Sequence, residues 1–305
     1  MHQKINPPQA YYIKLGRSGL WEAQSLKKGL IRFGYKEAPH QACLNGDWDT
    51  VRQRFLGIRS SEGAATSDAN QIRSFYESGE DILWITFADG FLWWCFARLG
   101  VEEHPDGEGR FRRTVDGWHN VDANGAPLTT DRLSGSLLKV QAFRGTICKV
   151  KACDYLIRRL NGELLPEVQR AKDAEDALVT AIVPLMRLLT WQDFELLVDL
   201  VFANSGWRRV GVVGKTQKTV DLELLLPTTG KRAFVQVKAS TSKNELSDYA
   251  ERHARSAAYD QMFFVWHSGD VGEVDSEDIT LIGPNRLARM VLDAGLVSWL
   301  REKVS

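Results

Sequence analysis

The chain has 305 residues, with 39 Lys+Arg against 39 Asp+Glu, 44% hydrophobic and 26% charged residues, and ten tryptophans. That length suits two domains, and the ordinary globular composition excludes a disordered chain. A formal net charge of zero excludes a supercharged nucleic-acid coat, but not a basic groove on one face. No apolar run approaches the roughly 18 residues needed to cross a bilayer. The opening Met1-His2-Gln3-Lys4-Ile5-Asn6-Pro7-Pro8 has no apolar signal core. Cys43, Cys95, Cys148 and Cys153 form no C-x-x-C pair and read as reduced thiols. The expectation is a cytoplasmic protein with no membrane contact.

In chain order, a short apolar strand is predicted at residues 11–15, ended by Gly16. A helix is predicted at 47–55, and a second is capped by Ser67-Asp68 and runs through Gln71, Phe75 and Tyr76. A dense hairpin follows, with arms at 82–87 and 91–96 around Ala88-Asp89-Gly90, a strong hairpin signal. Further strands are predicted near 110–115, 138–143 and 147–150. Residues 166–176 are polar and charged and read as a linker, which sets domains at 1–165 and 177–305.

The second part predicts an apolar helix at 177–189 carrying Pro184. Thr190 caps the next, with Asp193 three residues on, close to a capping box. That helix runs over 191–203 with Phe194, Leu197, Val198, Val201 and Phe202 on its apolar stripe. Strands are predicted at 208–213, 219–226 and 233–238, then a helix at about 244–258, strands at 262–266 and 279–282, and a closing helix from Pro284.

This order brings four polar groups into one region. Glu195 lies on the first helix of the set, Asp221 begins the middle strand, and Gln236 and Lys238 lie two apart on the next strand, so they share a face. Phe234, Val235 and Val237 make that strand apolar, and an unpaired Lys in it is costly to desolvate. Asp221 across the hairpin is the natural partner. A carboxylate beside a carbonyl oxygen holds a hard cation such as Mg²⁺ or Mn²⁺. A neighbouring Lys steadies the charge that develops on a phosphoryl group. Phosphodiester hydrolysis needs this set.

Phe194-Glu195, Gly206-Trp207, Val220-Asp221 and Val235-Gln236-Val237-Lys238, in that order and spacing, resemble the PD-(D/E)XK nuclease superfamily. More narrowly, residues 190–299 look like the Mrr-type restriction endonuclease domain, whose signature ends in Gln-x-Lys. The resemblance implies an α/β domain with a central mixed sheet flanked by helices. It also implies Asp221, Gln236 and the Val237 carbonyl as metal ligands, Lys238 as catalytic lysine and Glu195 as the helix acid. Gln236 stands where the superfamily usually has an acid, and Glu223, on the same face as Asp221, is the candidate for the missing carboxylate. Lys215, Lys218 and Lys243 flank the set as candidate contacts to a DNA backbone. Arg252, His253 and Arg255 follow on the next helix, with His253 expected to be exposed.

In the first part, the strand, Gly16-Arg17-Ser18-Gly19-Leu20-Trp21, helix, Gly79-Glu80-Asp81 and aromatic hairpin resemble the PUA-like group, the EVE and YTH domains. That likeness implies an α+β, β-barrel domain that holds a modified base against aromatic walls. Trp21, Trp84, Trp94 and Asp89 are the candidate pocket, with Ser18 and Asn45 as further edge-reading groups. The two resemblances together imply a modification-dependent restriction endonuclease acting on double-stranded DNA, flipping and reading a modified base, and a homodimer when it cuts both strands. The alternatives are a non-cleaving nucleic-acid-binding protein with a degenerate nuclease fold, and a first domain that reads RNA.

Overall fold

The computed structural model of the chain describes residues 4–210, 221–256, 258–272, 274 and 276–305. Two compact units divide it, Met1–Leu165 and Pro166–Ser305.

The first unit is mixed α/β. It contains β1 (Ala10–Ile13), α1 (Glu22–Lys28), β2 (Leu30–Phe33), α2 (His40–Leu44), α3 (Trp48–Leu56) and α4 (Glu62–Glu77). After these come β3 (Leu83–Ala88), β4 (Phe91–Phe96), β5 (Glu102–Glu103), β6 (Arg110–Arg113), α5 (Gly135–Leu138), β7 (Ile147–Lys149) and α6 (Cys153–Leu160). One sheet has the order β4-β3-β1-β7 and the other β2-β6-β5. The β3–β4 hairpin closes through Asp89 at φ 51° and Gly90 at φ 79°, the left-handed pair a two-residue turn demands.

Along β3, alternate side chains enter different cores. Leu83 and Ile85 pack with Leu128 and Leu156, whereas Trp84 packs with Phe33 and Phe75. Two sequence expectations fail in this unit. Helix α4 begins at Ser61, whose Oγ accepts from the Ala64 N–H at 3.2 Å, so Ser67 and Asp68 lie within the helix and Asp68 turns inward. The inward positions Ala65, Ala69, Ile72 and Phe75 carry the helical spacing back past Ser67. Residues 138–143 are not a strand: Ser134 caps α5, and Lys139–Ala142 continues as a 3₁₀ turn.

The second unit begins with α7 (Pro166–Met186) and α8 (Trp191–Asn204). The predicted linker, 166–176, is therefore the first half of a helix. Its composition is charged, but Ala, Glu, Gln, Arg and Lys all favour helix, and Pro at the first position costs nothing there. Arg289 ties this half down through Glu175 and, at 2.8 Å, Asp176. Thr190 caps α8 as expected, accepting from the Asp193 N–H at 3.2 Å.

Among the described residues, the sheet of this unit has five strands: β8 (Arg208–Arg209), β9 (Leu222–Leu226), β10 (Lys231–Ser242), β11 (Gln261–Asp270) and β12 (Ile279–Ile282). Its order is β12-β11-β10-β9-β8. Strands β10, β11 and β12 run parallel, while β8 and β9 are antiparallel to their neighbours. Helices α9 (Lys243–Ala254), α10 (Pro284–Asp293) and α11 (Val297–Val304) complete it. Leu222, Leu224, Ala233, Val235 and Val237 pack with Phe194, Val198 and Leu287 on one face. Phe234, Met262, Phe264 and Trp266 pack with Leu246 of α9 on the other. The helices thus cover both faces. Among the described residues no helix is long and apolar enough to cross a membrane.

Candidate active site and candidate base pocket

The register β9–β10 pairs Leu222 with Val235 and Glu223 with Phe234. One step further brings Asp221 beside Gln236. The Gln236 amide donates to Asp221 Oδ2, and the same oxygen accepts from the Val237 N–H at 2.7 Å. Gln236 is buried at 3% exposure, and its Oε1 has no hydrogen-bond partner. Burial pushes the Asp221 carboxyl up. The Val237 N–H, the Lys238 charge and the Gln236 amide pull it back, yet it stays above its ordinary value. Lys238 therefore acts electrostatically on Asp221, but its ammonium lies 3.9 Å from Glu245 Oε1 and 5.4 Å from the Tyr249 ring centroid, both on α9.

Glu195 is half-buried on α8. Its carboxyl is raised, first by burial and then by the charge of Asp221, and is partly relieved by Arg209. Of the four sequence-predicted residues, Gln236 thus contacts Asp221, the Lys238 charge acts on Asp221, and the Asp221 charge acts on Glu195. Glu223 does not join them: its Oε1 accepts from the Tyr259 hydroxyl at 2.7 Å. Sequence reasoning missed Glu245 and Tyr249. The available signal was their place in the first turns of the helix that follows Lys238. Lys243 is exposed at the start of α9, while Lys215 and Lys218 lie outside the described residues. His253, expected to be exposed, is buried, with its ring 5.7 Å from that of Phe234.

Asp221 and Gln236 offer hard oxygen donors, and the unpartnered, buried Gln236 Oε1 next to a carboxylate is what a divalent cation of the Mg²⁺ or Mn²⁺ type fits. Among the described residues, no three His, Cys, Asp or Glu side chains gather as a ready-made cage. Two carboxylates and a neutral amide give the site less charge than an all-acid cage would.

In the first unit, a cavity of about 520 Å³ is lined by Ser18, Trp21, Tyr35, Arg59, Asp68 and Arg144, among others. That is within the range of about 300–1,000 Å³ for small-ligand sites. Its lining carries Lys14, Arg17, Arg59 and Arg144 against Glu37 and Asp68, an excess of cations. Trp21 is fixed by its backbone N–H, which donates to Leu15 O at 3.0 Å, and its ring by the Arg32 guanidinium 4.3 Å from the centroid. The ring also sits against Gly34, where a Cβ would come within 3.1 Å of it. Asp68 accepts from the Tyr35 hydroxyl at 2.8 Å and from Arg59. Burial and this bond push the Tyr35 hydroxyl well up.

Of the predicted pocket, Trp21 and Ser18 line this cavity. Trp84 does not: it is fully buried between Tyr11 and Phe75. Trp94 lies on the opposite face of the sheet, its Nε1 donating to Val121 O at 2.9 Å. Asp89 is the hairpin turn residue and lines a separate depression with Glu22 and Thr130. Asn45 ends α2 and accepts from the Gln41 amide. The hairpin that looked like a pocket is core on both faces because alternate strand residues face opposite sides. Tyr35, Asp68 and Arg59, which do meet at the cavity, come from three separate segments with no shared motif.

No protein-family model matches the chain, and no curated protein matches it. Among solved structures, the chain is similar to the MspJI restriction endonuclease in complex with a 27-mer oligonucleotide. The identity is 15% and the TM-score 0.26, over 92% of this chain and 74% of that one.

Proposed function

We propose that the chain is a modification-directed DNA endonuclease. The second unit hydrolyses the phosphodiester, and the first holds a modified base in the cavity lined by Trp21 and Tyr35. One observation carries this reading: the Gln236 amide donates to Asp221, and its own buried oxygen is left unpartnered, two residues before Lys238. The sheet order, with α8 before it and α9 after β10, fits the PD-(D/E)XK arrangement.

Asp221 Oδ, Gln236 Oε1 and the Val237 carbonyl would hold Mg²⁺ or Mn²⁺, with Glu195 completing the shell directly or through water. When bound, such a cation polarises the phosphoryl group and lowers the pKa of a coordinated water. Asp221 must be ionised to take part, so its raised carboxyl makes activity rise with pH above the ordinary carboxylate range. Lys238, half-buried and two residues beyond Gln236 on β10, steadies the negative charge of the pentacovalent phosphorus and orients the attacking water. Glu195, also raised, accepts the proton that water gives up.

In the first unit, Trp21 and Tyr35 give flat apolar walls. Asp68 uses one hydrogen bond on each oxygen, and a carboxylate has further lone pairs for the amino edge of a base. The cationic lining suits the flanking phosphates.

Cleavage of methylated and unmethylated plasmid with MgCl₂ tests the reading. Asp221→Ala and Lys238→Ala are each expected to lower the rate roughly a thousandfold or more while DNA binding survives. A wild type that binds but cuts no modified DNA with either cation favours the second reading, a non-cleaving binder, to which the neutral Gln236 in an acid's place points. Stronger competition by modified RNA than by modified DNA moves the first unit to RNA.

A further inference from the structure

Leu20 is the most exposed large apolar side chain among the described residues that are so exposed, at 76%. It stands between Arg17-Ser18, which line the cavity, and Trp21, which also lines it. Leu20 itself is not part of that lining. The turn that carries it is pinned. The Leu20 N–H donates to Arg17 O at 3.2 Å, the Gly19 N–H to Gly16 O at 3.4 Å and the Trp21 N–H to Leu15 O at 3.0 Å. Ser18 sits at φ 51°, ψ 35°, a left-handed conformation that costs a non-glycine residue free energy. A strained, pinned turn thus presents one leucine to water at the rim of a base-sized cavity, with an arginine three residues before it.

We infer that Leu20 is a wedge. When a base leaves a duplex for the cavity, Leu20 enters the stack where the base was, and Arg17 meets the flanking phosphate. This deepens the base-reading role of the first unit and rests on it. It makes the substrate a base extruded from a duplex rather than a nucleotide already in a single strand. The chemistry is that of apolar side chains inserted between base steps: unstacking is unfavourable, and a hydrocarbon that fills the gap offsets part of that cost.

The test uses the full chain in Ca²⁺, which supports binding without requiring turnover. The probes are labelled duplexes carrying a single 5-methylcytosine, 5-hydroxymethylcytosine or N6-methyladenine. Each is made fully paired and, separately, with the modified base opposite an abasic site. Leu20→Ala is expected to keep the melting temperature of wild type, because the residue is 76% exposed. It should weaken binding to the preferred paired duplex about tenfold or more and to its abasic-opposed version by less than about threefold, since there the base is already unpaired. Equal binding of wild type and Leu20→Ala to the paired duplex overturns the wedge and leaves the base-reading role standing. Equal losses on both probes also overturn it, by making Leu20 an ordinary contact. A wild type that prefers no modified duplex over an unmodified one overturns the base-reading role itself.

Discussion

Two aspartates, the buried Asp68 in the first unit and the half-buried Asp221 in the second, anchor the two candidate sites in opposite ways. Asp68 is satisfied on both oxygens, by a phenol on one side and a guanidinium on the other. Asp221 has both of its bonds on one oxygen, lies beside an orphaned amide oxygen, and faces a lysine whose ammonium lies close to a different acid. A carboxylate completed by its own protein is a fixed element of the wall it belongs to. One left raised and half-served is held ready for a charge that arrives from outside. The hydrogen-bond accounting alone thus separates the two candidate sites.

Neutralising each aspartate should shift stability in opposite directions, and the larger shift belongs to Asp68. Asp68→Asn keeps an acceptor for Tyr35 but strips Arg59 of its counter-charge. Arg59 is 42% exposed and rehydrates in part, which limits the cost to about 1–2 kcal/mol, or roughly 2–8 °C in the melting of the first unit. Differential scanning calorimetry checks this, and an unchanged melting temperature would show that the Arg59–Asp68–Tyr35 array does no structural work. Affinity for modified DNA should fall with it.

Asp221→Asn should do the reverse on a smaller scale. Its carboxyl is raised by burial, as is that of Glu195, so ionisation of either favours the unfolded chain. Without divalent cation, their contribution to the stability of the second unit falls as pH climbs from ordinary carboxylate values, about 4, through the raised ones, and the loss is complete above that window. In EDTA at neutral pH, Asp221→Asn is therefore expected to melt slightly higher than wild type, with the difference vanishing toward pH 4. MgCl₂ should stabilise wild type and leave the variant unmoved. A variant that melts lower than wild type in EDTA, or gains as much from MgCl₂, would sink the comparison.

The two units differ as much in how legible they were. In the second, Thr190, the stripe from Phe194 to Phe202, and the alternation through Val235-Gln236-Val237-Lys238 each follow from a local period, and the structure puts the Gln236 amide on Asp221, while the Lys238 ammonium lies near Glu245. In the first, the tryptophan-rich hairpin 82–96 carried a strong local signal that belongs to the core, since Trp84 is fully buried. The cavity is built instead by Trp21, Tyr35, Arg59, Asp68 and Arg144, which only the packing of distant segments assembles. The same limit hid Glu245 and Tyr249: a strand's period says which face Lys238 uses, but not which helix residue will lie over that face. Composition misled at residues 166–176, where charge was read as solvation although every one of those residues tolerates helix.

The smallest expected effect concerns Glu245. It and Lys238 are 44% and 27% exposed and 3.9 Å apart, so as a pair they contribute roughly 0–1 kcal/mol to the fold. The consequence lies in binding. A phosphate that comes to Lys238 must displace Glu245, and the carboxylate repels it on the way. Glu245→Gln removes that repulsion and keeps a side chain of the same shape. Steady-state cleavage should show KM for modified DNA falling by about twofold to fivefold, with kcat unchanged, because Lys238 itself is not altered. The gain should shrink as KCl is raised, since screened charges repel less. A lower kcat at unchanged KM would instead make Glu245 a group that orients Lys238 in the reacting complex, and the contrast between a completed and a waiting carboxylate would then have to include α9 as part of the catalytic frame.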